Sequence, residues 1–344
     1  MRLVRWSLAA VALAIVAWSF YWVATRPLRQ AEAVGERVEV VVLHWGDRDE
    51  DAIVQSLTES FERANPGIRI KRINAGANYA AKLQTMIASG EPPDVFFLNA
   101  YHLPIYAPRG ILMDIEPFLD QDAAAGKLGF EADDLIEEAI SGFRFDGQQL
   151  GAGPLYGLPM SFTPMGFYYN KDAFARAGVA PPQPGWTWDD FERISRQVSA
   201  GAGLRGAAVD LRGAQLLRLM LWAQGTDLTT DDFSRVRTDD PRVLASLERL
   251  RSWRDEPEVF RIFGDAREEL ETSSSVFMAG RAAMQGPVGR WLVPPYRQIE
   301  EFEWGWAPMP REAEAGNMLY IAAWCVAAKT EHPEESWGVA RHFA

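Results

Sequence analysis

The first third of the mature chain alternates apolar runs with helical stripes. Val38 to His44 is almost unbroken valine and leucine, the pattern of a parallel strand buried on both faces. Glu50 to about Ala64 predicts a helix with Ile53, Leu57 and Phe61 on one stripe, ended by Asn65-Pro66-Gly67. Ile68 to Asn74 alternates as a second strand. A second helix over Tyr79 to Ser89 turns Leu83, Met86 and Ile87 inward, and Asp94 to Asn99 is a third strand, its Val95-Phe96-Phe97-Leu98 fully apolar. This is βαβαβ, which right-handed crossovers place in one open parallel sheet. In such sheets ligands sit beyond the carboxyl ends of the strands, at the switch point. Those ends are His44 to Arg48 and Asn99 to His102. Each sets an aromatic ring beside hydrogen-bonding groups: Trp45 with Asp47 and Arg48, Asn99 with Tyr101.

The middle of the chain turns on Leu158 to Asp172. Pro164 interrupts its extended run, and a proline removes a ladder donor, so two short strands meet at a bend before a helix begins at Ala173. Either this is a strand with a bulge inside one domain, or the chain crosses here between two lobes; the stretch alone favours neither. Before it, Leu103 to Ile140 reads as short helices broken by prolines, and Asp146-Gly147 signals a hairpin. After it, Thr187 with Asp190 forms a capping box for a helix to Val198, and Gln215 to Gln224 is a further helix. Asp240-Pro241 starts another, running to Trp253. Phe277 to Met284 leads from a helix end through a glycine into a buried strand, Gly286 to Trp291 is a loop entering a helix, and Phe302 to Ala307 and Ile321 to Ala328 are strands. Pro333 to Phe343 is the final helix.

Composition narrows the class. The 344 residues exceed what one core serves, so two domains are expected. A net charge of −12 argues against a nucleic-acid partner. The single cysteine, Cys325, sits in an apolar run and forms no internal disulfide, and the four histidines lack metal-ligand spacing. Residues 1–35 read as a targeting segment: Arg2 and Arg5, an apolar run from Trp6 to Val23, and Ala31-Glu32-Ala33 as a small-x-small site. A cleaved signal peptide and a retained membrane anchor both fit. Either places the body of the protein in the periplasm or on the outer face of the cytoplasmic membrane, and no cysteine near the boundary allows lipid attachment.

Taken in order, ANPGIRI (Ala64 to Ile70), KLQTMIASGEPPDVFFLN (Lys82 to Asn99), YGLPMSFTPMGFYYNKDAF (Tyr156 to Phe174), TWDDF (Thr187 to Phe191), MAGRAAMQGPVGRW (Met278 to Trp291) and HPEESW (His332 to Trp337) resemble a bacterial extracellular solute-binding protein of family 1. That group includes the maltose- and glycerol-3-phosphate-binding proteins of ABC importers. The resemblance runs from Val38 to the last residue. It implies an α/β fold of the type II periplasmic-binding-protein kind, two lobes of mostly parallel sheet flanked by helices, with a sugar or oligosaccharide in the cleft and an ABC permease as partner. It implies no cofactor and no catalysis. The expected division is 36–160 with 305–344 in lobe one and 163–300 in lobe two, the chain returning along Phe302 to Ala307.

The resemblance also assigns residues. Asp47 and Arg48 match an acid–base pair that grips sugar hydroxyls, and Asn99 to Tyr101 a ligand loop. Thr163 falls at the bend, and Gly286 to Arg290 match the loop facing the ligand from lobe two. Trp45 joins them from the strand-end argument. Leu98 and Val288 stand where some relatives place an aromatic platform, a departure that counts against maltodextrin-like stacking. The chain also ends where relatives continue. The helices near Gln215–Gln224 and Arg242–Trp253 are therefore expected to expose apolar surface, Leu216, Leu217, Leu219, Met220 and Leu221 among it.

Sugar recognition needs carboxylates, amides and guanidinium groups for hydroxyls, and rings for C–H faces. Asp47 serves equally well as helix N-cap or as ligand group. A phosphorylated polyol is the alternative ligand, given Arg48 and Arg290. A glycosidase would require a placed carboxylate pair, which no motif provides. A ferric site at Tyr168-Tyr169 conflicts with the opposite facing of consecutive strand residues.

Overall fold

The computed structural model describes residues 37–129, 135–211, 214–230, 234–263 and 272–344. The basic start and apolar run of residues 1–35 lie outside them. Among the described residues no helix is long and apolar enough to cross a membrane.

The chain forms two compact units: Met1–Ser161 with Ile321–Ala344, and Phe162–Tyr320. In the first, β1 (Val38–His44), β2 (Ile68–Asn74) and β3 (Val95–Asn99) are parallel, β1 lying between the other two. The order is completed by β12 (Leu319–Val326), antiparallel to β3, and by β6 (Leu158–Pro164), giving β2-β1-β3-β12-β6. A small hairpin, β4 (Arg144–Phe145) and β5 (Leu150–Leu155), turns at Asp146, whose carboxylate accepts the amides of Gln148 and Gln149 at 2.8 and 2.9 Å. Phe96, Phe97, Leu98, Trp324 and Cys325 lie in the core, the rings of Phe97 and Trp324 stacked at 3.8 Å. Gly157 packs against Cys325, because a Cβ there would come within 2.8 Å of its Sγ.

The second unit holds β7 (Gly166–Asn170), β8 (Arg205–Asp210), β9 (Phe260–Phe263), β10 (Ala282–Val288) and β11 (Trp304–Pro308), ordered β11-β7-β10-β8-β9. β8 runs parallel to β9 and β10, and β7 runs antiparallel to β10 and β11. Its core is aromatic: Trp188, Phe191, Trp253 and Phe260 pack together, Trp253 and Phe260 stacked at 5.2 Å. Thr187 and Asp190 close the capping box of the helix Trp188–Ala202, and Asp240 caps Pro241–Arg254.

Four expectations change. The stripe of the first helix, Arg48–Ala64, is Val54, Thr58 and Phe61, whereas Ile53 is 60% exposed; one residue, about 100° of rotation, separates positions 53 and 54, and both are apolar. The chain does not return at Phe302–Ala307: that segment becomes β11, which pairs with β7 inside the second unit, and the return falls at Ile321. Leu216, Leu217, Leu219, Met220 and Leu221 are all buried in the second unit's own core, because the helix Gln215–Trp222 packs on several sides. On Pro241–Arg254, by contrast, Leu244 and Leu247 are half-exposed. Finally, Gly286 is not in a loop. It lies buried in β10, before a cis bond to Pro287, and a Cβ there would press on Gly166 O and the Phe167 ring.

Candidate functional site

Asp47 is where the sequence turns from strand to helix. Its Oδ1 accepts the amides of Asp49 at 2.9 Å and Glu50 at 3.0 Å, while Glu50 Oε2 accepts Asp47 N–H at 3.3 Å. This capping box fixes the β1 turn. Below it His44 is fully buried, its Nδ1 3.1 Å from Trp45 O and its Nε2 3.2 Å from Arg72 Nη1. Burial, with the Arg72 guanidinium pressing the same way, lowers the His44 pKa. A neutral ring donating from Nδ1 and accepting at Nε2 satisfies both contacts. Arg72 also pairs with Asp51, whose carboxylate accepts Asn74 Nδ2 at 2.8 Å. The loop therefore rests on a polar brace.

Trp45 leans edge-on against Tyr79 at 4.7 Å and at a tilt of 48° against Phe97 at 4.9 Å, and the Tyr79 hydroxyl donates to Phe97 O. At the end of β3, Asn99 Nδ2 donates to Tyr101 Oη at 3.2 Å, and the Tyr101 ring lies on His102. Burial lowers the His102 pKa, which favours the neutral ring.

These two strand ends open onto one cavity of about 780 Å³ within the first unit. Trp45, Asp47, Asn99 and Tyr101 line it; Arg48 does not, being exposed as the first residue of its helix. Glu50, Tyr79, Gln84, His102 and Arg109 also line it and were not singled out from the sequence. The helix Tyr79–Ala88 was expected, but which of its turns faces the strand ends is a tertiary fact. The cavity combines rings, two carboxylates and amides, a donor and acceptor set suited to a neutral polyhydroxylated molecule.

The remaining candidates belong to the second unit. Thr163 is buried near the end of β6, its methyl group where a side chain on Gly289 would go. Arg290 is exposed and opens the turn Arg290–Leu292. Tyr168 and Tyr169 diverge: Tyr168 packs on Tyr296 and Trp304 and donates to Gly289 O at 3.3 Å, whereas Tyr169 packs on Phe174. Burial pushes the Tyr168 hydroxyl up to about 12.

The family model described as bacterial extracellular solute-binding protein matches residues 56–343. The chain belongs to this family. Among its relatives, a lactose-binding protein of Rhizobium radiobacter is 26% identical over 215 residues, which are 61% of this chain and 47% of that protein. The sn-glycerol-3-phosphate-binding periplasmic protein of Shigella flexneri is 27% identical over 76% of this chain and 58% of its own length. This solute-binding chain thus spans about half of each. In fold it matches an ABC substrate-binding protein of Listeria monocytogenes solved with cycloalternan, at a TM-score of 0.76 and 23% identity, covering 89% of this chain and 75% of that one.

Proposed function

We propose that the protein is the extracytoplasmic binding component of an ABC importer, taking up a sugar or oligosaccharide and delivering it to a membrane permease. The observation that carries this reading is the first unit's cavity, where Trp45 and Tyr101 stand beside Asp47 and Asn99 at the carboxyl ends of β1 and β3. Asp47 engages its amides through Oδ1 alone, so capping the helix leaves Oδ2 able to accept a hydroxyl. Family membership and the lactose-binding relative support it. Thr163 and Arg290 are the proposed ligand contacts of the second unit. The reading is one of binding and release, without catalysis, in the periplasm or at the outer face of the membrane.

The Shigella relative favours a phosphorylated polyol as the second reading. The cavity's chemistry weighs against it. Asp47 and Glu50 set two carboxylates against the one guanidinium of Arg109 in the wall, and the amides that a helix start would offer an anion are already held by Asp47. A thermal-shift screen with lactose, mannobiose, maltotetraose and sn-glycerol 3-phosphate decides. A saccharide at a hundredfold excess over its Kd should add about 2.7 kcal/mol of stability. A response to glycerol 3-phosphate alone would replace the sugar reading with the second one.

A further inference from the structure

The contacts of the His44 ring require it to be neutral. The side chain is fully buried in β1, with Nδ1 3.1 Å from Trp45 O and Nε2 3.2 Å from Arg72 Nη1. Trp45 O can only accept and Arg72 can only donate, so the proton sits on Nδ1 and Nε2 presents its lone pair. A second proton has to enter at Nε2, donor against donor and cation against cation. The charged groups facing the ring are Arg72 from β2 and Asp51 from the helix Arg48–Ala64. Elsewhere on that helix Glu50 is turned to the Asp47 amide and Asp49 is exposed. β3 brings the uncharged Phe97 ring, edge-on at 6.0 Å. The helix Pro333–Phe343 also packs on β1, but its Arg341 pairs with Asp122 and its His342 meets Ser60 Oγ at 2.6 Å.

An imidazolium at position 44 has one carboxylate to turn to, Asp51, whose Oδ1 lies 3.6 Å from Nε2. That oxygen is already taken. It pairs with Arg72 and accepts Asn74 Nδ2 at 2.8 Å. Asn74 in turn ties two turns together: its Nδ2 reaches Gly46 O at 3.4 Å, and its Oδ1 accepts the Gly76 amide at 3.0 Å. The Ala75 amide also donates to His44 O at 3.0 Å. Trp45, Gly46, Asp47, Gly76 and Tyr79 all line the cavity. Two of its walls therefore rest on one brace. A proton at Nε2 draws the Asp51 carboxylate away from Arg72 and Asn74, and the Gly46 and Gly76 turns lose their common tie.

We propose that His44 is a positioning residue for ligand binding, its neutral ring holding the Trp45–Asp47 and Gly76–Tyr79 turns in the shape that receives a saccharide, so that binding is linked to a proton. This rests on the saccharide reading above. The neutral form binds, so bound ligand keeps the proton off Nε2, and a proton on Nε2 weakens the ligand by the same factor. Affinity is full above the His44 midpoint, which burial and Arg72 hold below the ordinary 6.5. Below the midpoint it falls, by about tenfold per pH unit at most.

Two measurements test this. In the ligand-free protein, with histidine rings and glycine amides isotope-labelled, NMR should show the Gly46 and Gly76 amides shifting with the midpoint of the His44 ring and not with that of His102. Amides that ignore His44 overturn the proposal, whatever the ligand proves to be. In the second, lactose, mannobiose and maltotetraose are titrated calorimetrically into the wild type, His44→Gln and His102→Gln at about pH 7.5 and about pH 5. His102 is included because it lines the same cavity. For a saccharide that binds the wild type, affinity should fall roughly fivefold or more between the two pH values, with protons released on binding at the lower one. His102→Gln should keep that fall. His44→Gln retains an acceptor for Arg72 and cannot take a proton, so its affinity should be level across the two. A merely structural role would leave the pH profile unmoved. An equal fall in His44→Gln assigns the effect to another group and overturns the proposal, and where that variant fails to fold the amide titration decides. If none of the three saccharides binds the wild type, the saccharide reading falls, and the amide titration still shows whether His44 sets the two turns.

Discussion

Both units set three parallel strands in a row and then an antiparallel fourth: β2-β1-β3 with β12 beside β3, and β9-β8-β10 with β7 beside β10. At the carboxyl end of the third strand they diverge. In the first unit β3 ends in Asn99 and a turn bearing Tyr101 and His102, beside a capped helix carrying Asp47 and Glu50. In the second, β10 ends through a bulge and Gly289 in a turn bearing Arg290 and Trp291. One framework thus presents carboxylates and amides on one unit and, on the other, indoles that are 45% (Trp291) and 43% (Trp306) exposed. Polar groups and exposed rings impose different demands. The first need fixed donors and acceptors, supplied by capping and the Arg72–Asp51 brace. The second lie on bare backbone, because a Cβ on Gly166 would overlap the Trp306 indole and one on Gly289 the Trp291 indole.

The comparison can be broken most forcefully through the cores. Trp253→Ala empties the middle of the second unit's aromatic cluster and should cost about 3–5 kcal/mol. Denaturant unfolding should then show that unit melting first, while Cys325, fully buried in the first unit, stays closed to a thiol reagent. Simultaneous labelling and melting would show that the units unfold together.

Acid should act the other way. All four histidines belong to the first unit, and burial lowers the pKa of His44, His102 and His342 from the ordinary 6.5. The unfolded chain takes up protons near that value and the folded unit does so only lower. Stability is therefore complete above pH 6.5 and is lost as the pH falls below it. The first unit should unfold at a lower urea concentration at about pH 5.5 than at about pH 7.5, with no matching change in the second unit.

A finer cut separates the two roles of Asp47. Asp47→Ala should lose about 1 kcal/mol with the helix cap and weaken saccharide binding. Asp47→Ser keeps a capping oxygen, so melting should recover and affinity should not. Recovery of both would leave the carboxylate without a ligand role. Smallest of all, Ile53→Ser should change stability by no more than about 0.5 kcal/mol, whereas Val54→Ala, losing buried methyl surface, should cost about 1.5 kcal/mol. Urea midpoints distinguish the two helix phases.

Much of this was legible because it is local. The nearly continuous valines of β1, the Pro164 break between β6 and β7, the N-cap at Asp47 and the capping box at Thr187 each follow from a few adjacent residues. What failed was long-range. The alternation of Trp304 to Pro308 announces a strand but not the neighbour it chooses, so the return to the first unit was placed too early. Gly286 reads as loop because glycine and proline adjoin, yet its strand ladder comes from β7 and β8. The exposure of Trp291 and Trp306 left its only trace in Gly166 and Gly289, whose meaning depends on which ring comes to lie over them.

The position of β12 in the sheet has a temporal side. Phe162–Tyr320 is continuous, so the second unit can collapse as soon as its last strand leaves the ribosome. The first unit cannot. Its β3 edge, Val95-Phe96-Phe97-Leu98, stays unpaired until Leu319–Val326 is made and slips between β3 and β6. Contacts between segments so distant form slowly, and an open apolar edge invites wrong partners meanwhile. Until β12 is made, one half of the protein stays open while the other can already be closed.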